Sequence, residues 1–199
     1  MLTNDQINQI LEVNDSYKQP AKLLKLMLDE KTRVETFKKF FELETDMSFE
    51  WFQEAYEIEH AERKDKKQDF TPRSIGKLLN EIAQKESAHS YYEVAAGNGG
   101  ILIQAWNKHR INANFWSYNP MEHWYQVEEL SDRSLPFLIF NMSIRGMNGV
   151  ILHGDSLTRE FQDVYFIRNM SSQYGPFSEV IVMPKTKTLM QEYDIRKWV

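Results

Sequence analysis

The sequence predicts an α/β protein in two parts, a small all-helical domain over residues 1–65 and an α/β domain over residues 66–199. Three observations carry that prediction. Apolar residues recur at helical spacing through the first third, and strand-like and helix-like stretches alternate through the rest. Between the two textures lies the charged run "EHAERKDKKQD", residues 59–69, with almost no apolar content. A chain of 199 residues that is 42% hydrophobic and 13% aromatic can bury a real core.

The helical part is read from its caps. Thr3 followed by Gln6 fits a capping box, with Ile7, Ile10 and Leu11 on one face. Pro20 suits the first turn of a second helix through "AKLLKLMLDE". Thr32 with Glu35 repeats the capping signal before Val34, Phe37, Phe40 and Phe41, and Ser48 is placed to cap a fourth helix carrying Trp51, Phe52, Ala55 and Tyr56.

Beyond the charged run, "SYYEVA", "HWYQVE", "VILHGD", "DVYFI" and "SEVIVMP" read as strands, with helices expected near 72–84, 100–109 and 134–146. Strands separated by helices imply a mostly parallel sheet, and ligands bind such sheets outside the carboxyl ends of the strands. Three polar features fall at those ends: the glycine-rich turn of "EVAAGNGGILI" at 93–103, the pair Glu128 and Glu129, and "GDS" at 154–156. Glycines at 97 and 99 can adopt dihedrals closed to other residues and let a ligand lie against the backbone. The final "LMQEYDIRKWV" is read as a short helical tail, so the sheet is expected to be shortened.

Charge and composition narrow the partners. Residues 1–70 hold 11 Lys or Arg against 16 Asp or Glu, whereas 71–199 hold 13 of each, so the whole net charge of -5 lies in the first third. Nonspecific DNA affinity comes mostly from neutralising phosphates with basic side chains, so the chain alone is a poor tight DNA binder. With no cysteine there is no disulfide framework or thiolate metal site, and a reducing cytoplasm is the simplest compartment. No run of about eighteen uncharged apolar residues is present to span a bilayer. The five His residues show no metal-ligand spacing.

Taken in order, "DFTPRSIGKLL" at 69–79, the glycine-rich turn, the Glu pair and "RSLPFLIFNMSIRGMNGVILHGDSL" at 133–157 resemble the modification (methyltransferase) subunit of type I restriction-modification systems, within the N-6 adenine DNA methylase family. The resemblance runs from about Asp69 to Asp155. It implies a Rossmann-like sheet, here shortened, that uses S-adenosylmethionine to methylate adenine N6 in DNA, with a separate specificity-type subunit recognising the DNA. A homo-oligomer is the other assembly that would complete the sheet. A nicotinamide or flavin site fits less well, because Leu102 stands where the third glycine of that fingerprint belongs.

The resemblance also implies a role for each matched residue. Phe70 and Thr71 would lie against the methionine end of the cofactor, Thr71 also capping the helix that Pro72 opens. Glu93 would accept from the cofactor's ammonium group, and Ala95, Gly97 and Gly99 would line the turn. Glu129, whose spacing to Asn141 matches the family better than that of Glu128, would accept from both ribose hydroxyls. Asp155, with Ser156 beside it, would accept from the adenine amine of the cofactor.

At the catalytic step the pattern departs from the family. The expected Asn-Pro-Pro-aromatic motif, which fixes the amino group of a flipped base, falls in "DVYFIRNMSSQYGPF", where Asn169 is followed by Met170, Ser171 and Ser172. Loss of both prolines removes the turn that aims the amide. The Asn-Pro of "NPMEHW" at 119–124 lies before the Gly-Asp turn, on the wrong side of the family's order. Two readings therefore stand: a DNA adenine N6-methyltransferase of reduced size with Asn169 as the catalytic amide, and a catalytically inactive cofactor-binding remnant that serves as an interaction or regulatory module.

Overall fold

The computed structural model describes residues 2–53, 71, 73–83, 89–113, 117–173 and 175–199. Phe70, Pro72, the charged run at 59–69, the expected boundary at 65, Phe115 and Trp116 lie outside the described residues.

The amino-terminal part is helical, as its caps require. Helix α1 (Asn4–Leu11) carries the Thr3/Gln6 capping box, and α2 (Gln19–Leu28) has Pro20 in its first turn, where a missing N–H costs nothing. Helix α3 (Glu30–Phe41) starts earlier than the Thr32 signal implies, because Asp29 takes the cap and accepts from the Thr32 N–H at 2.8 Å. Of the helix expected after Ser48, Ala55 and Tyr56 lie outside the described residues; Gln53 is helical, and the segment 48–52 forms turns. Its carbonyls are already committed: Met47 O and Phe49 O accept from the Arg145 guanidinium at 3.0 and 2.6 Å. A carbonyl held by a distant side chain is withdrawn from the helical ladder.

The α/β part runs α4 (Arg73–Ala83), β1 (Ser90–Val94), α5 (Gly100–Asn112), β2 (Trp124–Glu129), α6 (Leu135–Ile144), β3 (Gly149–Asp155), β4 (Glu160–Arg168), β5 (Glu179–Val182), α7 (Lys187–Glu192) and β6 (Lys197–Trp198). The strand order is β1-β2-β3-β4-β5, with β6 beside β4. Strands β1, β2 and β3 are parallel and end on the same edge of the sheet. Strand β4 then turns back antiparallel on β3, β5 is antiparallel to β4, and β6 is parallel to β4. The tail is thus a helix followed by a short strand, not a helix alone.

One large apolar core lies on a single face of the sheet. Tyr125, Val127, Ile151, Tyr165 and Ile167 point into it, and it is shared with α1–α3, α5 and α6. Every residue of α6 is buried, since the sheet covers one side and the amino-terminal helices the other. Phe140 of α6 meets the rings of Phe37, Phe40 and Phe52 with centroids 5.2, 4.8 and 5.0 Å away. A smaller cluster on the opposite face holds Val150, Leu152, Phe161, Val164 and Ile195, covered by Met190 and Trp198 of the tail. No described helix is long and apolar enough to cross a membrane.

Candidate functional site

A cavity of about 540 Å³ opens at the carboxyl ends of β1, β2 and β3. Five separate stretches of sequence reach it: Glu50 and Gln53, Thr71, the segment from Glu93 to Ile101, the end of β2 with the loop after it, and the end of β3 with the turn after it. Of the residues the sequence marks for the cofactor, Thr71, Glu93, Ala95, Gly97, Glu129, Asp155 and Ser156 line this one space.

The glycine-rich turn is held in an unusual backbone conformation. Ala95, Gly97 and Gly99 have φ of 54, 57 and 89°, a region that glycine enters without steric penalty and alanine does not. Gly97 has nothing within 4 Å of where a Cβ would sit, so a ligand can reach the peptide. Gly99 has another reason to be glycine. Its Cβ would stand 3.0 Å from Leu138 Cδ1, and the residue is not part of the cavity wall. Its place is at the junction with the helices: it lets the turn close against α6 and caps the start of α5.

Successive side chains on a strand face opposite sides, and β2 uses this to separate its two carboxylates. Glu129 faces the cavity, where it accepts from the Gly97 N–H at 2.6 Å and the Ser131 N–H at 2.7 Å. Glu128 faces the other side, fully buried, where both its oxygens accept from Arg159 Nη1 and Oε1 also accepts from the Tyr92 hydroxyl. One glutamate fixes the turn; its neighbour ties the tail to the sheet through Arg159, which also donates to Asp194 O and Tyr193 O.

The acids of the cavity differ in environment. Burial raises the Glu93 carboxyl to about 7, with the Glu129 charge adding to the rise and a 2.9 Å bond from the Tyr91 hydroxyl opposing it. Burial likewise raises Glu50 to about 7 against hydrogen bonds from Asn141 and the Phe52 N–H. Asp155 is lowered, chiefly by the Leu157 N–H, which it accepts at 2.8 Å in the turn after β3.

Two residues of the wall carry no signal that the sequence reading used. Glu50 comes from the turn before the charged run, and Asn98 sits inside the glycine motif; both are buried. Asn98 was legible as the variable position of a Gly-x-Gly turn. Nothing local marks Glu50, which α6 brings to the site: Asn141 Nδ2 donates to Glu50 Oε1 at 2.9 Å and to Asn98 O at 2.8 Å. Among the described residues no cluster of His, Asp or Glu is placed to hold a metal.

Asn169 is not brought to this cavity. It follows the last residue of β4, and because β4 runs against β3, Ile167 pairs with Gly149 at the start of β3 while Asp155 ends that strand. The separation along β3 is roughly 20 Å at about 3.3 Å per residue. The Asn169 side chain is buried and committed there: Nδ2 donates to Gly146 O at 3.0 Å and Pro176 O at 2.9 Å, and Oδ1 accepts from the Ser171 N–H at 2.9 Å. The Asn119-Pro120 pair is likewise a turn, with Asn119 capping Pro120–Glu122.

Comparison with known proteins gives one finding. The family model described as N-6 DNA Methylase matches residues 46–183. No curated protein and no solved structure matches the chain.

Proposed function

This chain belongs to the N-6 DNA methylase family, and from that premise we propose that the cavity at the ends of β1–β3 binds S-adenosylmethionine and that the protein serves N6-adenine methylation of DNA. The observation that carries the proposal is the convergence of Thr71, the glycine-rich turn, Glu129 and Asp155 on a single cavity. The chemistry of the walls supports it. The ligand is a sulfonium that also bears an ammonium group, and among the described residues the wall holds the carboxyls of Glu50, Glu93, Glu129 and Asp155 and no Lys or Arg. Among the described residues Glu50 Oε2 and both polar side-chain atoms of Asn98 are buried without a partner, a costly state that a polar ligand relieves.

In this reading Asp155 accepts from the adenine amine. Glu129 accepts from the ribose hydroxyls with the lone pairs that Gly97 and Ser131 leave available. Glu93 receives positive charge, and Ala95 and Gly97 give the ligand access to the backbone. When bound, S-adenosylmethionine supplies an electrophilic methyl group. The position of Asn169 favours a division of labour: the described residues of this chain hold the cofactor, and a partner chain holds the flipped base. Net charge of -5 offers little to DNA phosphates, which favours a separate specificity-type subunit as in type I modification systems. A second copy of the chain is the other candidate partner, and the absence of cysteine suits a reducing cytoplasm.

Calorimetric titration with S-adenosylmethionine tests the cofactor proposal. Saturable heat is expected, together with a thermal shift reflecting about 2.7 kcal/mol at roughly a hundred times the dissociation constant. No heat and no shift would remove the basis for it. The Asn169 placement also favours a second reading, a cofactor-binding regulatory module without transfer activity. Transfer of labelled methyl to DNA, by the chain with its partner, would eliminate that one.

A further inference from the structure

We infer that Glu50 and Asn98 form the subsite for the zwitterionic amino-acid end of the ligand, an inference that rests on the cofactor reading above and adds two residues to it. The first observation is where Glu50 spends its hydrogen bonds. Its Oε1 accepts from Asn141 Nδ2 at 2.9 Å and from the Phe52 N–H at 3.0 Å, whereas Oε2 is buried with no partner among the described residues. The second, independent observation is Asn98. It is 1% exposed, lines the same cavity, and leaves both Nδ2 and Oδ1 without a partner among the described residues. An unpaired carboxylate oxygen and amide oxygen are acceptors for an ammonium group, and an unpaired amide N–H₂ is a donor for a carboxylate. Together they present the complement of an α-amino acid.

The surrounding structure fixes this pair in place. Asn141 Nδ2 also donates to Asn98 O at 2.8 Å, so one amide holds the Glu50 side chain against the glycine-rich turn. Asn141 Oδ1 is held in turn by Arg145 Nη1 at 2.8 Å, and Arg145 clamps Met47 O and Phe49 O. The backbone on the amino-terminal side of Glu50 and its side chain are therefore fixed by the same helix. A carboxylate held so firmly while one oxygen stays unused is preorganised for a ligand atom.

Glu93, the acid the family pattern assigns to the ammonium, is partly occupied by the Tyr91 hydroxyl at 2.9 Å. Glu50 supplies a second acceptor from a different element. The subsite therefore belongs to the junction between the amino-terminal part and the glycine-rich turn.

The test compares S-adenosylmethionine with 5′-methylthioadenosine, which keeps the nucleoside and lacks the amino-acid end, by calorimetry on the wild-type chain, Glu50→Gln and Asn98→Ala. Each variant is expected to lose about tenfold or more in affinity for S-adenosylmethionine, the cost of one charge-assisted hydrogen bond. Affinity for 5′-methylthioadenosine is expected to stay within about threefold of wild type. Equal losses for both compounds make the two residues structural and overturn the inference, as does unchanged affinity for both. If the wild-type chain binds neither compound, the cofactor reading itself fails and takes this one with it. Should Glu50→Gln not fold, the same selective loss is required of Asn98→Ala alone.

Discussion

At the scale of single residues, the direction of a strand decides what a polar side chain can do. Asn169 and Glu129 illustrate this from opposite ends of the sheet. Glu129 ends a strand that points at the cavity and spends two oxygens on the backbone of the loops around it. Asn169 ends a strand that points away, and every hydrogen-bonding group of its side chain is satisfied inside the fold. Asn169→Ala is therefore expected to lower stability by about 1–3 kcal/mol, since it strands the Gly146 and Pro176 carbonyls and the Ser171 N–H. S-adenosylmethionine affinity should be unchanged. Urea unfolding and calorimetry on one preparation check both halves; a variant that loses binding while keeping its unfolding midpoint would contradict this account. Most of the cavity-lining residues were legible because they sit at the ends of strands with a distinctive local pattern. Glu50 was not, because a single acid in a turn gains its meaning only from Asn141, far away in the chain.

At the scale of elements, the antiparallel return of β4 was within reach of the sequence. Only residues 156–159 separate β3 from β4. A parallel connection needs a crossover of about a dozen residues or more, so a link this short permits only a hairpin. A link of that length by itself puts Asn169 at the far end of the sheet from the cavity. The turn at Met47–Phe52 was less legible, since its cause is the Arg145 guanidinium on α6. Arg145→Met keeps the bulk of the side chain and leaves the Met47, Phe49 and Asn141 carbonyls without their donor. Such a change is expected to cost about 3 kcal/mol or more, several buried acceptors being stranded together. It should also weaken S-adenosylmethionine binding, because the clamp beside Glu50 is gone. An unaltered unfolding midpoint in urea would show that the clamp is not what holds this turn.

At the scale of the whole molecule, the two ends of the sheet respond to acid in opposite senses. At the end where β1 and β2 begin, burial lowers His109 to about 4 from its ordinary 6.5, with His123, His89 and Lys108 adding to the effect. Burial also lowers His123, which stacks on His109 at 4.7 Å and feels His89 in the same sense and Glu122 in the other. At the cavity end Glu50 and Glu93 are raised from 4.5 to about 7, opposed by Asn141 and Arg145 for the first and by the Tyr91 hydroxyl for the second, with Glu129 reinforcing the latter. A histidine held neutral makes the fold lose stability as pH falls from 6.5 toward 4, because the unfolded chain binds protons the folded one refuses. A carboxyl held protonated makes it lose stability as pH rises from 4.5 through 7, because the unfolded chain releases protons the folded one keeps. The two kinds of group therefore contribute slopes of opposite sign. A bound cation changes the balance by favouring ionised Glu50 and Glu93. Their contribution to the slope then disappears while that of the histidines remains. On going from about pH 5 to about pH 7 the urea midpoint should thus rise more at saturating S-adenosylmethionine than in the free protein. Equal pH dependence with and without the ligand would mean that the cavity carboxyls do not meet its charge.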